Sequence, residues 1–135
     1  MPRFQLNSDD RYDKLDAFTQ GYIEAAFFTD TGYPENEDLE DADTSEIAPD
    51  ALTKVIADCA NWQEKNAELL QLAYDRDYEP VQAGRDYWLT RNSHGAGFWE
   101  REELEADSLG DKLSDACRYS SVNMYRGDDG LIYFE

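Results

Sequence analysis

The chain's one histidine, His94, stands after Asn92 and Ser93 and before Gly95, Ala96 and Gly97. A serine, a histidine and a nearby acid are the parts of a nucleophilic hydrolase. Such a centre works only when the serine sits on a strained elbow or beside preorganised oxyanion donors, and no such pattern surrounds Ser93. His94 therefore reads as a turn histidine bonded to backbone, with the glycines serving the turn's geometry. One histidine and two distant cysteines also fall short of a structural zinc site. Cys59 and Cys117 each fall on the apolar stripe of an expected helix and read as buried thiols rather than a disulfide.

Carboxylates are the abundant chemistry, with 31 acidic residues against 12 basic ones. Calcium is the metal that suits oxygen ligands, and Asp41-x-Asp43-x-Ser45 opens like an EF-hand loop. The match then fails, because Glu46 occupies the glycine position and Leu52 the place of the bidentate glutamate. Asp128-Asp129 lies in too tight a hairpin to supply a full ligand set. Some close carboxylate pair is inevitable among 31 acids, so a glycosidase-like pair carries no information. Neither a Walker lysine nor a dinucleotide fingerprint is present. The expectation is a protein without metal or cofactor, and not an enzyme.

What remains is charge. A formal net charge of −19 over 135 residues argues against direct nucleic-acid binding, which needs clustered Lys and Arg, and against docking on an anionic membrane. The excess is local: residues 29–50 hold nine acids and no base, so this stretch supplies −9 and the other 113 residues −10. Disorder is disfavoured by 41% hydrophobic and 13% aromatic residues. Met1-Pro2-Arg3-Phe4 begins no apolar signal core and no run approaches ~18 apolar residues, so the expected place is the cytoplasm.

The elements that must position these groups follow from periodicity. Asn7-Ser8-Asp9-Asp10 reads as a helix start, and Leu15, Phe18, Tyr22, Ala25 and Ala26 recur at helical spacing. Thr31-Gly32-Tyr33-Pro34 stops that helix, which is expected over about 9–30 within segment 1–34. Residues 35–50 repel themselves and read as an extended acidic loop. A long second helix over 51–75 is marked by Leu52, Val55, Ile56, Cys59, Trp62, Leu69, Leu70 and Ala73. The strand formers of 86–91, a glycine-bearing turn at 92–97 and Phe98-Trp99 predict a β-hairpin. Ser108 with Asp111 resembles a capping box, opening a third helix with Leu109, Leu113, Ala116 and Cys117 inward. Segments 122–125 and 131–134 flank Arg126-Gly127-Asp128-Asp129-Gly130, a clear hairpin signal. The expected fold is one α+β domain over 1–135. In it two N-terminal helices precede a ββαββ half (83–135) forming a small antiparallel sheet with helices on one face.

On the second helix Asp58, Glu64, Glu68 and Asp75 follow at spacings of 6, 4 and 7 residues. At ~1.5 Å rise per residue they lie roughly 6 to 10 Å apart along the axis. Phosphates of one DNA strand recur about every 3.4 Å. One helix alone is too sparse to copy a duplex, and the acidic loop beside it fills the gaps.

The run AGRDYWLTRNSHGAGFW at 83–99, with LGDKL at 109–113 and GDDGLIY at 127–133, resembles a group of small bacteriophage proteins, mostly of unassigned function. The likeness covers about residues 83–134 and identifies no chemistry by itself. It implies a small acidic protein of phage type, and such proteins recurrently occupy the DNA site of a host enzyme. The expected partner is then a host DNA-processing enzyme, DNA gyrase first and a restriction enzyme or CRISPR effector next, met in the cytoplasm of the infected cell. The phosphate-mimicking acids would be Glu35, Glu37, Asp38, Glu40, Asp41, Asp43, Glu46 and Asp50 of the loop, with Asp58, Glu64 and Glu68 of the second helix. Three alternatives stand beside this. Tyr87, Trp88, Phe98 and Trp99 around His94 would form the pocket of a non-enzymatic interaction module. An enzyme using His94 and a neighbouring acid is the second, and an acidic surface serving solubility or salt adaptation, with no mimicry, is the third. The sequence leaves a homodimer open.

Overall fold

Two helices meet backbone to backbone at the centre of the protein. The computed structural model describes residues 14–30, 46–92, 97–117 and 121–134. Its elements are α1 (Ala17–Asp30), α2 (Pro49–Lys65), α3 (Ala67–Tyr74), α4 (Pro80–Arg91), three short 3-10 segments (Phe98–Glu100, Glu102–Leu104, Ala106–Ser108), α5 (Leu109–Asp115), β1 (Met124–Arg126) and β2 (Ile132–Phe134). The fold is α+β, mostly helical with a two-stranded antiparallel sheet.

Helix α1 buries nearly its whole circumference, including Phe18, Thr19, Tyr22, Ile23, Ala25, Ala26 and Phe27. It packs most extensively on α4. Two glycines permit the approach: a Cβ on Gly84 would lie 1.8 Å from the Phe18 carbonyl oxygen, and one on Gly21 2.0 Å from that of Val81. Around this pair an aromatic core closes. Trp62 stacks on Tyr87 with centroids 4.5 Å apart and on Phe98 at 5.5 Å, and Trp88 meets Tyr22 edge-on at 5.3 Å. Such pairs add about 0.5–1.5 kcal/mol each beyond the burial of their area.

Several sequence expectations are corrected. The segment expected to be the first strand of a hairpin is the helix α4, and Phe98-Trp99 begins a 3-10 turn instead of a partner strand. Pro80 at the first helical position presets the backbone, and Ala83, Gly84, Tyr87, Trp88 and Arg91 recur on one buried face at helical spacing. Tertiary packing of that face overrides the strand preference of Tyr87, Trp88 and Thr90. The long helix over 51–75 is two helices, broken at Asn66, whose Nδ2 donates to the Trp62 carbonyl at 2.9 Å. There is no capping box: Ser108 has a φ of 56° and its side chain caps nothing. Helix α1 is described from Ala17, and the expected start at Asn7-Ser8-Asp9-Asp10 lies outside the described residues.

The closing hairpin forms with shifted bounds: the strands expected at 122–125 and 131–134 run over 124–126 and 132–134. Arg126, read as the first turn residue, pairs with Ile132, beside Tyr125 opposite Tyr133 and Met124 opposite Phe134. Its inner residues Met124, Ile132 and Phe134 are buried. Ile47 adds an isolated parallel bridge to Ile132, and the Ala48 N–H donates to the Ile132 carbonyl at 2.9 Å. The chain entering α2 is thereby tied to the outer side of β2. Asn92 ties the end of α4 to the segment before β1 by accepting the Val122 N–H at 2.8 Å.

Candidate functional site

The positive charges show how the surface acquires its character. All five arginines among the described residues are engaged with acids of the protein itself. Arg101 holds Asp86 with Nη2 at 2.6 Å and Nε at 3.0 Å. Asp86 is 0% exposed, and it also accepts the Tyr78 hydroxyl and the Gln82 amide. Burial pushes the Tyr78 phenol far up, and the neighbouring Asp86 charge pushes it further. Arg85 pairs with Glu24 at 2.7 Å, Arg126 with Glu46 at 2.8 Å and Arg76 with Asp107 at 3.3 Å. Arg91 is buried over the Tyr87 ring at 4.7 Å, donates to the Tyr22 hydroxyl at 3.0 Å and lies 3.8 Å from Asp58.

The acids face the other way. Sixteen of them among the described residues are exposed, from Asp16 to Asp129, against four exposed lysines, Lys14, Lys54, Lys65 and Lys112. Asp50 stands in the first turn of α2, where the positive end of the helix dipole favours it. Glu64 and Glu68 are exposed on either side of the Asn66 break. Glu46 and Asp58, expected in the same set, are the two whose charge faces an arginine, Arg126 and Arg91. Glu35, Glu37, Asp38, Glu40, Asp41 and Asp43 lie outside the described residues.

A second acidic stretch escaped the sequence reading. Glu100, Glu102, Glu103, Glu105 and Asp107 are exposed along the 3-10 segments that join Phe98 to α5. Arg101 within this stretch is turned to Asp86, and the base that meets the stretch is Arg76, which pairs with Asp107 and donates to the Glu103 and Ala106 carbonyls. Trp99 stands beside these acids, 50% exposed. The sequence signal was five acids in eight residues, with a basic residue among them that folding pairs with Asp86.

The rings offered as the alternative aromatic pocket around His94 divide in the same region. Tyr87, Trp88 and Phe98 are core rings, buried in the stack with Trp62, and only Trp99 of the four has an open face. These rings fill the centre because α4 is a helix and directs Tyr87 and Trp88 onto α1 and α2. His94, with Ser93, Gly95 and Ala96, lies outside the described residues.

Cys59 and Cys117 are buried free thiols. Burial pushes both up, Cys117 to about 12, which leaves them protonated and poorly nucleophilic at neutral pH. Among the described residues no group of three or more His, Cys, Asp or Glu is placed to hold a metal ion. No helix among them is long and apolar enough to cross a membrane. The chain matches no family model, no curated protein and no solved structure.

Proposed function

We propose that this protein is a phage-encoded DNA mimic that binds a host DNA-processing enzyme and blocks its DNA groove, making and breaking no bond. DNA gyrase is the first target to test, a restriction enzyme or a CRISPR effector the next. The observation that supports this most is the sorting of charge. Every described arginine is turned to an acid of the protein, while sixteen described acids are exposed, Asp107 among them being the partner of Arg76. The sequence adds nine acids without a base in residues 29–50, just before α2. A surface of this kind attracts a basic groove by the electrostatics that attracts DNA.

Glu35, Glu37, Asp38, Glu40, Asp41 and Asp43 stand in for phosphates in this reading, with Asp50, Glu64 and Glu68 extending the row along α2 and α3. The test is inhibition of DNA supercoiling by purified gyrase, followed by pull-down from host lysate at low and high salt. Inhibition should weaken steeply as the Debye length shrinks from about 10 Å at 0.1 M toward 3 Å at 1 M. Replacing the six loop acids by Gln and Asn should abolish binding of the captured enzyme and leave the circular dichroism spectrum unchanged. Binding that survives this neutralisation overturns the proposal.

A further inference from the structure

We propose that the outer face of the closing hairpin is an arginine-binding platform, built from the stacked Tyr125 and Tyr133 rings and rimmed by carboxylates, that receives an arginine of the partner protein. This rests on the mimicry reading and assigns to it a site at which one residue type is preferred.

The hairpin turns Met124, Ile132 and Phe134 into the core, so its other face carries the direct cross-strand pair Tyr125 and Tyr133. Their rings lie 5.7 Å apart at an interplanar angle of 22°. Tyr125 is 38% exposed and Tyr133 is half-buried, so part of the pair reaches solvent. The Tyr133 ring is held in place, because its hydroxyl donates to Asp129 Oδ2 at 2.5 Å. Asp129 is locked in turn by accepting the Leu131 N–H at 3.0 Å. The Tyr133 hydroxyl, with the Leu131 N–H, keeps the Asp129 carboxyl below the usual carboxylate range and therefore charged.

The rim is acidic. Asp128 and Asp129 are exposed in the turn. The hairpin's own base, Arg126, donates to Glu46 at 2.8 Å and to the Gly130 carbonyl at 2.7 Å. Glu46 directly precedes Ile47, which bridges to β2, so this acid of the stretch 29–50 lies beside the hairpin. A cation is drawn to such a surface by the ring faces and the carboxylates together. A guanidinium fits it better than an ammonium: it is planar, stacks on aromatic faces and is more weakly hydrated. Phosphates and carboxylates also favour a guanidinium through paired hydrogen bonds, so what the platform adds to mimicry is the part of the arginine preference that depends on the rings.

The experiment compares fluorescein-labelled octa-arginine and octa-lysine peptides binding to the full chain, read by fluorescence anisotropy. Wild type should bind octa-arginine the more tightly. Tyr125→Leu, which keeps apolar bulk and loses the ring, should reduce that preference by about fivefold, while Tyr125→Phe keeps it. A second measurement needs no variant: octa-arginine should shift the Tyr125 and Tyr133 ring-proton resonances of the wild-type chain. An arginine preference unchanged in Tyr125→Leu, or ring resonances that stay still, overturns the platform. Neutralising the six loop acids should weaken both peptides alike, so the mimicry reading survives that loss. Failure of both peptides to bind wild type overturns the platform and the mimicry reading together.

Discussion

Asp86 is a carboxylate removed from water, and the residues around it explain why it stays. Arg101 supplies two N–H donors, Tyr78 a hydroxyl and Gln82 an amide. Breaking such a pair from one side is far worse than never having built it, because the remaining charge is buried without compensation. Arg101→Ala should therefore lower stability by about 3 kcal/mol, read as a shift of the urea midpoint at constant slope. The value belongs at the low end of the usual range, since the Arg101 side chain is still 29% exposed. A loss below about 1 kcal/mol, the size of an ordinary surface pair, would show that water reaches Asp86. Nothing in the sequence singled out this carboxylate among 31 acids. The identity of a buried acid depends on which face of α4 turns inward, and that is decided only once α4 is known to be a helix.

At the scale of elements, the fold depends on the contact of α1 with α4. Gly84→Ala places a methyl group 1.8 Å from a backbone oxygen that no side-chain rotation can move. The two helices must separate, at a cost of about 3 kcal/mol or more, and thermal unfolding of the variant should fall well below wild type. An unchanged melting temperature would mean that the helices sit farther apart than described. The apolar stripe of α1 was legible in Phe18, Tyr22, Ala25 and Ala26, all buried. The closing hairpin was legible too, because a Gly-Asp-Asp-Gly turn between alternating residues has few other uses. Helix α4 was not. Its aromatic and β-branched residues suited either period, and the deciding feature was the recurrence of buried positions at 83, 84, 87, 88 and 91. Asn66 likewise gave no warning of a helix break, since its capping bond to Trp62 is visible only in three dimensions.

For the whole molecule, the quantity that matters is where charge ends up. Net charge and the acidic stretch at 29–50 were plain in the sequence. Its separation of roles was not: composition counts Arg101 and Arg126 as surface bases, whereas each is turned to an acid of the chain. The expected acids divide on the same principle, Asp50, Glu64 and Glu68 outward, Glu46 and Asp58 toward arginines. The pairing of the described arginines with acids of the chain has a consequence for how the protein meets ionic strength. Added salt screens the mutual repulsion of the exposed carboxylates and relieves a stress on the folded state, while the shielded Asp86–Arg101 pair feels it little. The melting temperature should thus climb between low and high salt over the same range in which the proposed partner lets go. The protein would be at its most robust where it is least able to act.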